Sequence, residues 1–291
     1  MAAAPNEAAA GWINGLLGVI IFSGSLPATR IAVLDLDPLF LTLARSAIAG
    51  VLALALLLVL RPRRPDRADI WPLVVVALGV VVGFPLLTAF ALRYVTSAHA
   101  IVFIGLLPIA TAIFGVLRGG ERPRPAFWAF SILGAVIVAA YALRQGADAS
   151  PIGDGLMLAA ILVCGLGYAE GARLSRRLGG WQVISWALLL SLPLALPATV
   201  LTLPGSWDGV GWPAWAALAY VSLFSMLIGF IFWYRGLAQG GIAAVGQLQL
   251  LQPFFGLALA ALLLHEQVGW GLLGCAAATV LCVAGAKRFS R

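Results

Sequence analysis

Charge is what this chain has least of: only 10% of its residues are Asp, Glu, Lys or Arg, and 62% are hydrophobic. An ordinary soluble domain carries about 25% charged and about 45–50% apolar residues, so water cannot be the solvent for most of this surface. Cysteine is scarce too. Cys164, Cys275 and Cys282 are odd in number, lie in apolar stretches and show no metal-ligand spacing, which excludes a disulfide framework and a zinc site and leaves them as small buried residues. No Gly-rich loop ending in Gly-Lys-Ser or Gly-Lys-Thr is present, so ATP is not the expected energy source. Asp35 and Asp37 share one loop with no second acidic pair elsewhere, which argues against metal-bound pyrophosphate chemistry and against an enzyme. The spans offer isolated polar residues rather than a continuous polar lining, which argues against a channel. No cofactor is indicated.

Long apolar runs take the place of what is missing. A helix needs about 17–25 apolar residues to cross about 30 Å of hydrocarbon. Ten such windows occur: 12 to 34, 38 to 60, 70 to 92, 96 to 117, 126 to 143, 152 to 174, 181 to 203, 213 to 235, 241 to 264 and 268 to 286. Backbone groups in lipid must pair within the protein, and the runs do not alternate in polarity as barrel strands do, so the expected fold is an all-α integral membrane protein. The connections are short, which leaves no extramembrane domain and puts neighbouring spans in alternate directions.

The net charge of +7 suggests nucleic acid only until the basic residues are sorted by loop. With the N-terminus inside, Arg30, Arg93 and Arg144 fall outside, Arg45 falls within a span, and the rest of the 18 basic residues gather on the inner side. This bias places both termini in the cytoplasm and agrees with an even number of spans. Trp12, Trp71, Trp128, Trp181, Trp212, Trp215 and Trp270 mark span ends, as an interfacial aromatic belt does. The first run lacks a basic flank and is too long for a signal-peptide core, so no cleavage is expected. The lipid bilayer and a small-molecule substrate are the expected partners, nucleic acid is not, and a monomer is the expected unit.

The chain also repeats itself. An offset of 145 residues lays Leu106, Leu107 and Pro108 over Leu251, Gln252 and Pro253, Leu117 over Leu262, and Glu121 over Glu266. The two units, 1–145 and 146–291, hold five spans each. An odd number inverts the second unit in the membrane, and inverted repeats are how carriers alternate access around a midplane site.

These features resemble the drug/metabolite transporter superfamily and, within it, the ten-span EamA family. The resemblance rests on Pro38 followed by Arg45 in the second span, and on the Pro108–Glu121 and Pro253–Glu266 stretches. The overall look is most similar to the YddG-type bacterial exporters of aromatic amino acids. That implies efflux of such amino acids or related metabolites across the cytoplasmic membrane, with lipophilic cationic drugs as an alternative cargo. The Arg122-Pro-Arg-Pro125 run departs from the family's smoother continuation into the fifth span.

Candidate transport residues follow from the cost of polar groups in hydrocarbon. Gln247, Gln249 and Gln252 put three amides in one apolar span; Ser25 and Thr88 are smaller polar points, as is Ser23, each able to bond back to its own helix. Phe84, Phe103, Tyr168, Phe230, Trp233 and Phe254 offer rings at interior depth for an aromatic cargo. Pro85, Pro108 and Pro253 are expected near the centres of spans, as kinks or hinges that free carbonyls. Among charges, His99 is a residue type whose unshifted pKa lies near neutrality, which suits a proton-linked step or an interfacial hydrogen bond. Arg45 either attracts a carboxylate or pairs with Asp35, Asp37 or backbone carbonyls. Glu170 either carries a proton or pairs with Arg173, three residues on. Glu121 and Glu266 are expected to stabilise the N-termini of the spans that follow them. Glycine pairs one turn apart, such as Gly236 with Gly240 and Gly167 with Gly171, are expected where helices approach closely.

Overall fold

The computed structural model describes residues 5–91, 93–95, 100, 103–144, 150–264 and 270–290. Among them there is no strand. The helices are α1 (Pro5–Ser23), α2 (Ser25–Ala32), α3 (Pro38–Leu60), α4 (Arg67–Val76), α5 (Phe84–Ala91), α6 (Leu107–Gly119) and α7 (Pro125–Leu143) in the first half of the chain. The second half holds α8 (Pro151–Leu178), α9 (Gly180–Leu201), α10 (Trp212–Tyr220), α11 (Gly229–Gly240), α12 (Ile242–Gly246), α13 (Gln252–Leu264) and α14 (Trp270–Arg288). A wide π turn, Ala77–Gly83, joins α4 to α5, and a second, Val221–Ile228, joins α10 to α11; a tight 3-10 stretch, Gln247–Leu251, joins α12 to α13.

Six runs among the described residues are long and apolar enough to cross a membrane: Glu7–Thr29, Pro38–Leu60, Arg67–Ala91, Pro151–Leu178, Gly180–Leu201 and Trp212–Gly240. Leu107–Gly119 and Pro125–Tyr141 are shorter and equally apolar. Their outward faces are greasy. Leu58, Val59, Leu201, Ile132 and Val280 are all more than half exposed, a surface that only lipid tails cover without penalty. The chain is therefore an integral membrane protein.

Helix starts follow local chemistry. The Asp37 carboxylate accepts from the backbone N–H groups of Leu39 and Phe40 at 2.9 and 3.0 Å, and Pro38 occupies the first turn, where its missing N–H costs nothing. The same rule explains a departure from expectation. Pro108 and Pro253 do not kink the middle of continuous spans: each is the second residue of a new helix, α6 or α13, after a turn at Gly105–Leu106 in one case and the 3-10 stretch in the other. Hydropathy runs straight through both breaks because it does not register how the backbone pairs. Pro85 is likewise second in α5, directly after a π turn, and is buried.

The offset of 145 seen in the sequence also relates helix boundaries. Leu107–Gly119 maps onto Gln252–Leu264 and Pro125–Leu143 onto Trp270–Arg288 at both ends, while the π turn Ala77–Gly83 maps onto Val221–Ile228 to within one residue. Packing follows the same pairing: α1 lies along α11 as α5 lies along α8, whereas α3 pairs with α9, α7 with α14 and α6 with α12.

Glycine sets the closest of these crossings. A Cβ on Gly236 would stand 2.5 Å from Gly15 N, and one on Gly11 would stand 2.7 Å from Gly240 Cα, so α1 and α11 meet backbone to backbone.

Candidate functional site

Polar residues inside a bundle of this kind are where function is sought, because each needs a partner that lipid cannot supply. Three of the expected residues converge. Gln249, on the 3-10 stretch, donates its amide N–H to the Tyr168 hydroxyl on α8 at 3.2 Å. Trp233, on α11, meets the Tyr168 ring edge-on with 5.5 Å between ring centroids. Around them Phe230 lies 6.1 Å from Tyr168 and 4.9 Å from Phe22, and Phe22 lies 6.2 Å from Trp233. Tyr234 extends the cluster, 5.5 Å from Phe230, and donates its hydroxyl to the Gly167 carbonyl at 3.4 Å.

The cluster is buried, and not all of its polar atoms find partners in the protein. Tyr168, Trp233 and Gln249 are all nearly or wholly buried. The Trp233 indole N–H has no acceptor, and the Gln249 side-chain carbonyl has no donor. Gln247 is fully buried as well; its amide N–H reaches back to the Ala243 carbonyl at 3.5 Å and its carbonyl oxygen is unpartnered. Thr111, beside Gly246 on the facing α6, has a buried hydroxyl without a partner. Such open donors and acceptors are rare in folded proteins and mark places where a ligand, water or a second conformation completes them.

The remaining candidates lie elsewhere. Ser25 donates to the Ser225 hydroxyl at 2.7 Å, tying α2 to the second π turn, and Ser23 bonds back to the Val19 carbonyl at 2.7 Å. Thr88, on α5, has a buried hydroxyl with no partner; Phe84 and Phe103 are partly buried against the central core; Gln252 is half-buried at the start of α13. His99 and Glu266 fall outside the described residues. Arg45 pairs with neither nearby acid. Asp37 is used as a cap and Asp35 accepts from Gly211 N at 2.9 Å, so the buried Arg45 Nε stands unpartnered among the described residues.

Glu170 is doubly ion-paired. It is buried and accepts from Arg173 at 2.9 Å, as the three-residue spacing predicts, and also from Arg118 on α6, which spacing alone does not reveal. Glu121 departs from expectation: it does not serve the helix that follows it. Its two oxygens accept from Ile242 N at 2.6 Å and Ala243 N at 2.7 Å, capping α12 more than a hundred residues away. Arg176 reaches Glu121 at 3.5 Å, and Arg177 pairs with Asp66 and Asp69, so this end of the bundle is laced together by ion pairs.

Phe22 and Tyr234 were not singled out from sequence: Phe22 reads as one more apolar residue in α1, and only the α1–α11 crossing brings it to Trp233. Among the described residues no group of three or more His, Cys, Asp or Glu side chains is placed to hold a metal.

Comparison with known proteins agrees with this architecture. The chain is 69% identical over 286 residues to an uncharacterized transporter, YdeK, of Bacillus subtilis (strain 168), covering 98% of this chain and 100% of that one. It is 24% identical over 257 residues to an uncharacterized transporter of Archaeoglobus fulgidus, covering 86% and 88% of the two chains. A solved crystal structure superposes with a TM-score of 0.80 at 21% identity over 95% of this chain and 97% of that one, a likeness of fold. The model of the EamA-like transporter family matches residues 9–143 and again residues 151–286. With nearly the whole chain so covered, and with helices that only a membrane can accommodate, this protein belongs to the EamA-like transporter family.

Proposed function

We propose that this chain is a secondary exporter that carries amino acids, aromatic ones foremost, and related small metabolites across the cytoplasmic membrane by alternating access. In this reading ten spans form two inverted five-helix units, 1–145 and 146–291, with both termini in the cytoplasm and a monomer as the working unit. The shared offset of helices and π turns, the twofold pattern of packing and the double match of the family model support the two-unit architecture.

One observation carries the choice of cargo: a buried aromatic cluster holds a donor on α11 and an acceptor on the 3-10 stretch between α12 and α13, neither with a partner among the described residues. Rings suit an aromatic body, and the open polar atoms suit its head group. The ion-paired end, carrying Glu121 and Glu170, is the cytoplasmic side in this reading.

The test is uptake of radiolabelled phenylalanine, tryptophan, threonine and a lipophilic cation into liposomes holding the intact protein, with and without an imposed pH gradient. Saturable, competable uptake of the aromatic amino acids is the expected result. Insertion verified and no uptake of any of them would sink this substrate class.

A further inference from the structure

The unfilled atoms around Tyr168 specify chemistry as well as place. Trp233 has no exposed surface and keeps its indole N–H open, while Gln249 spends its amide N–H on Tyr168 and keeps its carbonyl oxygen open. Both side chains rest on one tyrosine, the indole by its ring and the amide by its hydrogen bond, so open donor and open acceptor stand within the span of one small molecule.

Charge is the second observation. Among the described residues no hydrogen bond or ion pair joins a charged side chain to Tyr168, Trp233 or Gln249. Glu170, two positions from Tyr168, is committed to Arg118 and Arg173, and Arg45 lies on α3, which packs chiefly against α9 and the second π turn. A net charge placed in the cluster would have nothing to compensate it in a poorly polarisable surrounding, whereas a donor and an acceptor whose charges sum to zero would.

We propose that Trp233 Nε1 and Gln249 Oε1 are the specificity pair of the transport site, selecting a small net-neutral molecule with a hydrogen-bond acceptor and a donor on neighbouring atoms beside an aromatic body. This rests on the carrier reading above. Zwitterionic α-amino acids and neutral amides present that pair. An amine without an acceptor, a carboxylate without a donor and a lipophilic cation do not.

The experiment uses the full-length protein and two readouts: thermal stabilisation in detergent for binding, and liposome uptake of labelled tryptophan for transport. The competitors are tryptophan, N-acetyltryptophanamide, tryptamine, indole-3-propionate and tetraphenylphosphonium. The first two are expected to stabilise the protein and compete, and the three singly charged compounds to do so roughly tenfold less or not at all. Trp233→Phe, which keeps a ring and removes the donor, is expected to weaken both neutral ligands roughly tenfold. Gln249→Glu is expected to bring tryptamine in as a competitor. Monodispersity and an unchanged melting point without ligand show that each variant is folded; if Gln249→Glu is not, Gln249→Leu takes its place and should weaken both neutral ligands.

Equal competition by charged and neutral compounds overturns the specificity pair and leaves the carrier standing. So does neutral selectivity that survives both substitutions. Binding of the neutral pair without uptake leaves the specificity pair standing and overturns the carrier. Neither binding nor uptake of any compound overturns both.

Discussion

The same offset that relates the helices brings two unequal sets of side chains into correspondence. Tyr168, Trp233 and Gln249 sit at positions whose partners, 145 residues earlier, are Ser23, Thr88 and Ile104. One locus is filled by two large rings and an amide; the other holds a serine bonded to its own helix, a threonine with an open hydroxyl and a partly buried isoleucine. The two long crossings differ as well. Where α1 meets α11, glycines on both helices bring backbones into contact, while at the end of α5 Ala91 and the following Val95 pack on Gly153 and Met157 of α8, with glycine on one side only. Two stretches that share helix boundaries thus carry different side-chain volumes at matching positions, without any change of backbone plan.

The largest expected effect comes from the ion pairs around Glu170. Replacing Arg118 and Arg173 together by alanine leaves the buried Glu170 carboxylate uncompensated, and losing the partners of a buried ion costs about 3–5 kcal/mol. A melting point in detergent should fall sharply; a drop no larger than that of an exposed arginine substitution would mean that the two arginines do not hold Glu170 in place. Next is Gly236→Leu, which forces a side chain into the backbone of Gly15. Overpacking there should cost about 1–3 kcal/mol, and Ala91→Leu at the equivalent crossing should cost less. Glu121→Ala removes both acceptors for the start of α12 and should cost about 1–2 kcal/mol, read as the same melting point. Thr88→Val probes the locus that carries the open threonine hydroxyl, nearly keeping the side chain's volume and removing that hydroxyl. It should leave the melting point within about 0.5 kcal/mol of the parent while reducing uptake severalfold, and unchanged uptake would show that this locus is not on the substrate's route.

How far these features can be read without coordinates depends on whether their cause is local. Helix α3 was legible to the residue, since an uninterrupted apolar run bounded by Asp37-Pro38 and an arginine-rich loop leaves no other solution. The Glu170–Arg173 pair was legible from spacing on one helix face. The breaks before α6 and α13 were not, although Pro108 and Pro253 stand where proline favours a helix start as much as a kink. Glu121 misled for a related reason: a negative charge ahead of a helix reads as that helix's cap, and only the fold shows that α12 lies nearer. Within the site, Gln249 was visible as an amide, and Tyr168 and Trp233 as rings, in apolar spans, but their meeting depends on three separate helical runs, and Phe22 carries no signal of its own.

The two π turns bear on the history of the chain. A π turn is a helix with one residue too many, so each records an insertion absorbed without breaking the span. Ala77–Gly83 and Val221–Ile228 keep the offset of 145 that also relates α6 to α13 and α7 to α14. Had the extra residues entered the two halves separately, each would have needed its own event at matching depth. A single insertion inherited by both of the stretches that the family model matches, 9–143 and 151–286, would explain both. The wide turns would then be older than the differences in side chains between those two stretches.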